Sequence, residues 1–340
     1  MSKKRSTKHP IKFYRLLSSL LLLILFFYLT ESKKLEEIQP GENPVLYSNV
    51  CHDNLESVFL DAIRGANHSI LLIIYSLSDT KLIHALNRQA EKGIPVKVIH
   101  DTTTPPLGFQ KLSSRIDNQG IKLSGLMHQK ILVVDREKVW LGSANMTTES
   151  LKLHDNLVLG LINHRLAEAI VQQEAFSLID LCGQQVEYWS LPQKGKEGLK
   201  RLIQLIDGAQ KTVRVAMFTW THAELTAAVI RANHRGIRVE VILDRGQALG
   251  VCHQTLEKLL HAGVEVRLSS GLGLLHHKFA WIDEKYLING SANWTVSAFT
   301  RNRDCFLILH SLTLTQNEKM HSIWKKTRAL SNQEKLPLAA

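Results

Sequence analysis

The sequence predicts an α/β protein built from two similar halves. Along its 340 residues, short apolar or β-branched runs alternate with helical patterns, and such alternation is typical of a sheet with helices packed outside it. A stretch of 18 residues also occurs twice, from His128 to Asn145 and from His276 to Asn293. The blocks that precede this stretch repeat as well, which indicates that a whole unit is duplicated.

The N-terminus carries the features of an export signal or membrane anchor. Residues 1–15 are basic, residues 16–30 form an apolar run, and residues 31–44 are polar with two prolines. We predict a cytoplasmic tail over 1–15, a signal anchor or transmembrane helix over 16–30 and a linker over 31–44. Six basic residues precede the apolar run and two follow it. The positive-inside rule therefore places a single-pass protein's body on the extracytoplasmic side, or makes it secreted if the signal is cleaved.

The first half is expected over residues 45–190. It begins with a helical pattern at 55–64 and a buried strand at 70–75. A second helical pattern follows at 82–92, with Asp79 as its expected N-terminal cap, and a second strand follows at 96–99. Because strands that are joined through helices pair in parallel, we expect a mixed, largely parallel sheet flanked by helices.

The second half is expected over residues 191–330, with a C-terminal tail at 331–340. Gly93 recurs as Gly236, a shift of 143 residues, whereas His128 recurs as His276, a shift of 148. We place the five added residues in the apolar stretch 269–275, just before His276. A loop there would either line the mouth of a site or pack into the core.

Each repeated stretch pairs a histidine with a lysine two positions later. His128 and Lys130 are followed by an apolar run, as are His276 and Lys278. Side chains two apart share one face of a strand, so each pair projects together. The histidines are potential nucleophiles or acids, and the lysines are potential partners for a phosphate.

Each repeat then continues into an aspartate and a Gly-Ser-Ala-Asn turn. Asp135 and Asp283 have the opposite strand parity from the His and Lys, so we expect them to order the strand end rather than touch a substrate. The turns supply short polar side chains that can reach a phosphate oxygen, although the serines can instead tighten the turn. These candidate phosphate-binding residues are Ser143, Asn145, Ser291 and Asn293.

The pattern His-x-Lys, Asp, Gly-Ser-x-Asn, present twice, resembles the signature of the phospholipase D superfamily. The resemblance implies two similar phospholipase D-like halves packed about a pseudo-twofold axis, with both His-Lys pairs at one site. It implies a phosphohistidine mechanism without a metal or cofactor and favours His128 as nucleophile and His276 as acid. The motif residues that it marks as catalytic are His128, Lys130, Asp135, His276, Lys278 and Asp283.

Two further aspartates stand where the resemblance implies an acidic residue. Asp155 and Asp304 each precede an apolar strand. Either could orient an imidazole by accepting its second N–H, and either could equally be an exposed carboxylate at a strand start.

The resemblance predicts a phospholipase D-type phosphodiesterase that acts on phospholipids, with phospholipid and membrane as partners. Its alternatives are a phosphatidyltransferase of cardiolipin-synthase type and a nuclease. The net charge of +11 gives the nuclease little support, because residues 1–34 hold eight basic residues against Glu31 and the remainder carries +4. The four cysteines match no zinc spacing. The sequence leaves the oligomeric state open.

Overall fold

A seven-stranded sheet forms the framework of the first half in the computed structural model, which describes residues 36–103 and 108–334. The strand order is β1-β7-β6-β5-β2-β3-β4. The strands are β1 Val45–Tyr47, β2 Ile70–Ile74, β3 Val96–Asp101, β4 Asp117–Ile121, β5 Lys130–Val134, β6 Lys138–Gly142 and β7 Val158–Ile162. The helices are α1 Leu55–Arg64, α2 Thr80–Glu91, α3 Thr148–Lys152 and α4 His164–Val171.

A nine-stranded sheet forms the second half, in the order β16-β12-β11-β10-β13-β14-β15-β9-β8. Its strands are β8 Phe176–Leu181, β9 Gln184–Ser190, β10 Thr212–Met217, β11 Arg238–Leu243, β12 Glu265–Ser269, β13 Lys278–Ile282, β14 Tyr286–Gly290, β15 Cys305–Leu309 and β16 Ser331–Gln333. Its helices are α5 Gly195–Asp207, α6 Ala223–His234, α7 Arg245–Leu249, α8 His253–His261, α9 Val296–Thr300 and α10 Leu314–Ala329.

The α/β class, with two mixed sheets flanked by helices, is confirmed. The expectation of largely parallel pairing needs correction. In the described residues the parallel neighbours are β2–β3 and β3–β4, with β10–β11 and β11–β12 as their counterparts. The motif strands β5 and β13 instead pair antiparallel with both neighbours. A three-residue turn returns each of them directly into the next strand.

The five-residue insertion does not lie in the loop before His276. β4 begins at Asp117 and β12 at Glu265, so the shift is already 148 residues at these strands. The added residues lie between β11 and β12, where the second half contains α8. The glycine match was misleading, because Gly120 lies within β4 whereas Gly263 precedes β12 with a φ of 72°.

The predicted boundary after residue 190 falls at the end of a hairpin. The hairpin is formed by β8 and β9, and β9 pairs with β15 of the second sheet. By sheet membership the two halves therefore divide before Phe176.

The two sheets bury one shared apolar core. Ile73 and Ile131 from the first sheet belong to the same buried cluster as Phe279 and Trp281 from the second. A second cluster lies against the helices of the second half and includes Val215, Leu225 and Leu259. At about 1.5–3 kcal/mol for each large apolar side chain, the shared cluster fixes the position of one sheet against the other.

The expected single-pass, extracytoplasmic topology is corrected. None of the helices within residues 36–103 and 108–334 is long and apolar enough to cross a membrane. Outside the described residues lie the predicted tail at 1–15, the anchor at 16–30, residues 31–35 of the linker and residues 335–340 of the C-terminal tail.

Candidate active site

Equivalent contacts exchanged between the halves bring the two motifs together. Met127 forms a parallel bridge with Arg303, and Leu275 forms the same bridge with Asp155. Met127 and Leu275 are 148 positions apart, as are Asp155 and Arg303. The first half therefore contacts the second through the same pair of positions that the second half uses to contact the first. Such reciprocal contacts are expected about a pseudo-twofold axis. The histidines that follow Met127 and Leu275 lie on either side of that axis.

His128 is held by a carboxylate from the opposite half. Its Nδ1 lies 2.8 Å from Asp304 Oδ1, which also accepts a hydrogen bond from Ser291 Oγ at 2.7 Å. Asp304 is fully buried, and burial alone would raise its pKa, but the charges of His128 and Lys130 and the hydrogen bonds bring the pKa below its usual value. Burial and Lys130 lower the pKa of His128, against the opposing effect of Asp304.

His276 has the same arrangement with an amide in place of the carboxylate. Its Nδ1 lies 3.0 Å from Asn156 Oδ1, which accepts from Ser143 Oγ at 2.8 Å. Asn156 Nδ2 donates to the carbonyls of Ser150 at 2.8 Å and His154 at 3.2 Å, which fixes the amide oxygen toward the imidazole. Burial, Lys278 and Lys130 lower the pKa of His276 well below its usual value.

The residue that contacts His276 is thus Asn156, not Asp155. The 148-residue shift that relates the histidines also relates Asn156 to Asp304, whereas the sequence comparison matched Asp155 one position out of register. Asp155 donates its backbone N–H to Leu274 O at 2.8 Å. Its half-buried carboxyl has a pKa raised to about 6 by burial.

The lysines lie against aromatic rings beside the histidines. Lys130 Nζ donates to the His128 carbonyl at 2.5 Å and lies 5.1 Å from the Tyr75 ring centroid. Lys278 Nζ donates to the His276 carbonyl at 2.8 Å and lies 4.9 Å from the ring of Phe218. Burial lowers the pKa of Lys130 to about 7 and that of Lys278 well below its usual value. The sequence did not predict a role for these aromatic residues, although they directly follow the equivalent strands β2 and β10.

The turn serines and asparagines divide into two roles. Ser143 and Ser291 are fully buried, and besides bonding to Asn156 and Asp304 they accept backbone N–H groups at 3.1 and 3.0 Å. They therefore support the imidazole partners and do not face a substrate. The amide oxygens of Asn145 and Asn293 are buried without a hydrogen-bond partner among the described residues, so these side chains retain polar groups for a ligand.

The motif aspartates lie at the opposite ends of the motif strands. Asp135 follows β5 with a φ of 55°, and Asp283 follows β13 with a φ of 54°. In each turn the next residue also has positive φ, as a type I′ hairpin requires. The Asp135 carboxylate accepts the N–H groups of residues 67–69 at 2.7–3.1 Å, and Asp283 accepts those of 210–212 at 2.8 Å. They stabilise turns roughly 16 Å along the strand from the lysines.

A second pair of aspartates positions the histidine-bearing segments. Asp101 Oδ2 accepts the Met127 N–H at 2.6 Å, and Asp244 Oδ2 accepts the Leu275 N–H at 3.2 Å. Sequence reasoning found these residues only as the ends of the repeated block 92–101 and 235–244. That repetition was the available signal for their role.

Potential metal ligands are not grouped in the described part of the chain. No cluster of three or more His, Cys, Asp or Glu side chains there could hold an ion. All four cysteines are free thiols. The charge facing a ligand at the histidines is instead supplied by Lys130 and Lys278.

By fold and by site, the chain is a two-motif protein of phospholipase D type. A family model described as "Cardiolipin synthase, PLD-like domain" matches residues 59–175 and 202–324. The chain therefore belongs to the phospholipase D superfamily.

Two curated relatives illustrate the similarity. The mitochondrial cardiolipin hydrolase of Canis lupus familiaris is 34% identical over 145 residues, which is 40% of this chain and 54% of that protein. The phospholipase D of Rickettsia typhi is 26% identical over 160 residues, covering 44% of this chain and 76% of that protein. The chain thus spans about half the length of the canine protein.

A solved structure matches most of the chain. Phosphatidylserine synthase from Haemophilus influenzae Rd KW20 has a TM-score of 0.70 and covers 88% of this chain and 89% of its own, at 14% identity. The likeness shows that both halves share one fold with that protein.

Proposed function

We propose that this protein is a phospholipase D-type phosphodiesterase that hydrolyses phospholipid phosphodiester bonds through a phosphohistidine intermediate. The observation that carries the proposal is the crossed support of the two histidines, with Asp304 bonded to His128 and Asn156 bonded to His276. Nucleophile and acid need different properties, and these two imidazoles have different partners. The names of the relatives, cardiolipin hydrolase and phospholipase D, support a phospholipid substrate.

In the first step His128 attacks phosphorus through Nε2. Its Nδ1–H points to Asp304, which leaves the Nε2 lone pair free and stabilises the positive charge that develops on the ring. The phosphorus–oxygen bond to the leaving alcohol breaks, and the electron pair passes to that oxygen. His276, whose lowered pKa is raised again by the negative charge of the bound phosphate, donates the proton that neutralises it.

In the second step His276, now neutral, accepts a proton from water. The resulting hydroxide attacks phosphorus, the phosphorus–nitrogen bond breaks, and its electron pair returns to His128. Lys130 and Lys278 hold the nonbridging oxygens, and the Nδ2 groups of Asn145 and Asn293 donate hydrogen bonds to them. Both lysines have lowered pKa values because they are buried, so a bound phosphate anion would favour their charged forms.

The test is to assay the purified full chain on cardiolipin and phosphatidylcholine in mixed micelles. Release of the leaving alcohol is expected from the wild type and not from His128→Ala or His276→Ala. His84→Ala is the matched control, because His84 is an exposed residue on α2. Transfer to an added short alcohol would identify a phosphatidyltransferase. Cleavage of single-stranded DNA without lipid hydrolysis would show that the substrate is a nucleic acid and not a phospholipid. No turnover of any phosphodiester would overturn the proposal.

A further inference from the structure

Five large apolar side chains are exposed on three segments, one of which leads directly into His276. We define the apolar rim as Leu153, Leu249, Val251, Leu272 and Leu274. Leu272 is the most exposed, at 108% of its reference area. The segment before His276 is therefore not core packing, although Leu275 within it is buried.

Backbone contacts fix the three segments together. A Cβ on Gly273 would lie 1.8 Å from Leu153 O, so glycine is required where the loop packs on the segment that carries Leu153. Asp244 Oδ2 accepts the Leu275 N–H at 3.2 Å, and Ser269 Oγ accepts the Arg245 N–H at 3.0 Å. These bonds join the start of the α7 segment to both ends of the loop, and Leu249 and Val251 lie at the other end of that segment.

The apolar rim adjoins the site. His154, the residue after Leu153, has its ring centroid 6.1 Å from that of His276. The counterpart of Leu153 in the other half is Arg301, 148 residues later, and Leu123 in the counterpart loop packs against the core. Leu249 and Val251 come just before α8, which has no counterpart among the described residues of the first half. The most exposed of these leucines are therefore on the His276 side of the site.

The charge pattern identifies the partner. Residues 270–275 carry no charge, and residues 245–251 carry only Arg245. Beside His128 and His276 lie Lys130 and Lys278, whose charged forms a phosphate anion would favour. An apolar surface beside a cationic pocket complements a phospholipid bilayer, in which acyl chains lie beneath anionic phosphates, whereas a nucleic acid presents phosphates along its whole outer face.

We propose that the apolar rim inserts into the surface of a phospholipid bilayer and brings a lipid phosphate to the histidines. The inference rests on the proposed function for its choice of substrate. Which residues enter the bilayer can be measured without any turnover of lipid. Exposed apolar patches of this kind mark interaction sites. Because this patch adjoins the proposed active site, its partner is the surface that carries the substrate, a phospholipid bilayer.

The test places an environment-sensitive fluorophore on the full chain. Leu272→Cys is labelled in a background where the exposed Cys182 and half-buried Cys51 are serine, and vesicles of phosphatidylcholine and cardiolipin are added. The matched control is Leu314→Cys. Leu314 is 76% exposed, and neighbouring Leu312 bonds to Lys285 at the far end of β13. A blue shift of the fluorophore's emission and quenching by brominated lipid are expected for the label at Leu272→Cys and not for the label at Leu314→Cys. This difference is expected even if another part of the chain also touches the vesicle.

A kinetic experiment gives a second readout. Leu272→Ser with Leu274→Ser should raise KM for vesicle-borne lipid about tenfold or more, leave kcat on a soluble short-chain phospholipid unchanged, and exceed any effect of Leu314→Ser. No shift at Leu272 on vesicles, equal shifts at both positions, or a shift with single-stranded DNA alone would each overturn the inference. A shift at Leu272 without lipid hydrolysis by the wild type would uphold this surface and overturn the proposed activity.

Discussion

Replacing Asp304 with asparagine isolates the charge that supports His128. Asp304 Oδ1 accepts from His128 Nδ1 at 2.8 Å and from Ser291 Oγ at 2.7 Å. The other half shows that an amide oxygen can accept the same two bonds, since Asn156 does so with His276 and Ser143. Asp304→Asn therefore keeps the geometry and removes the negative charge.

The expected loss follows from the strength of a charge-assisted hydrogen bond. Such a bond contributes about 1.5–3 kcal/mol, and each 1.36 kcal/mol corresponds to about tenfold in rate. We expect kcat/KM to fall about 10- to 100-fold in Asp304→Asn. Because the carboxylate favours the charged imidazole, its loss should also lower the pKa of His128.

The assay compares kcat/KM on one phospholipid with NMR titration of the two imidazoles. Asn156→Asp is the matched exchange, and its negative charge should raise the pKa of His276. It should also lower stability, because a carboxylate oxygen would then face the carbonyls of Ser150 and His154. Wild-type kcat/KM in Asp304→Asn, or an unchanged His128 pKa, would refute the role given to Asp304.

Three other predictions concern thermal stability, independence from metal ions and stability in acid. Gly142→Ala and Gly290→Ala should each lower Tm sharply or prevent folding, because a Cβ would lie 2.2 Å from the carbonyl oxygen of Leu157 or Cys305; a wild-type Tm in calorimetry would disprove this. EDTA should leave turnover unchanged, because Lys130 and Lys278 supply the cationic charge at the site; activity that is lost in EDTA and restored by zinc or magnesium would disprove it. Burial alone would raise the pKa of Glu187, but hydrogen bonds from His310, Arg201 and Trp189 lower it to about 2 from 4.5. Since the folded pKa is the lower one, Glu187 should contribute on the order of 3 kcal/mol above pH ~4.5. That contribution should disappear as the pH falls toward about 2, and Glu187→Gln should show a smaller loss in acid unfolding.

Strand parity was sufficient to pair His with Lys and to separate both from the motif aspartates. A period of two residues is local, so the sequence alone determines that His128 and Lys130 lie together. The same reasoning placed Asp135 at a turn. Strand parity could not show that the Asp135 carboxylate holds the loop before β2, because that contact joins residues that are 66–68 positions apart.

Other features depended on contacts between the halves. Asp155 and Asn156 are adjacent in sequence, and only the bridge between Asp155 and Leu275 shows which of them reaches His276. A single 148-residue shift would have selected Asn156, but the preference for an acidic residue drew the match to Asp155. For a similar reason the sequence could not decide whether the two motif serines bind phosphate or support the turn. Their hydrogen-bond partners lie 13 residues further along the chain.

The measurement that tests the central claim most directly is trapping of the phosphorylated enzyme. With a nitrophenyl phosphodiester, whose leaving group needs no proton, His276→Ala should phosphorylate itself and then stall, because no base remains to activate water. Label on His128 in this variant, and none on the protein in His128→Ala, is the result that the account predicts. Label on His276 in His128→Ala would reverse the two roles, and steady turnover by both variants without any phosphohistidine would contradict the mechanism.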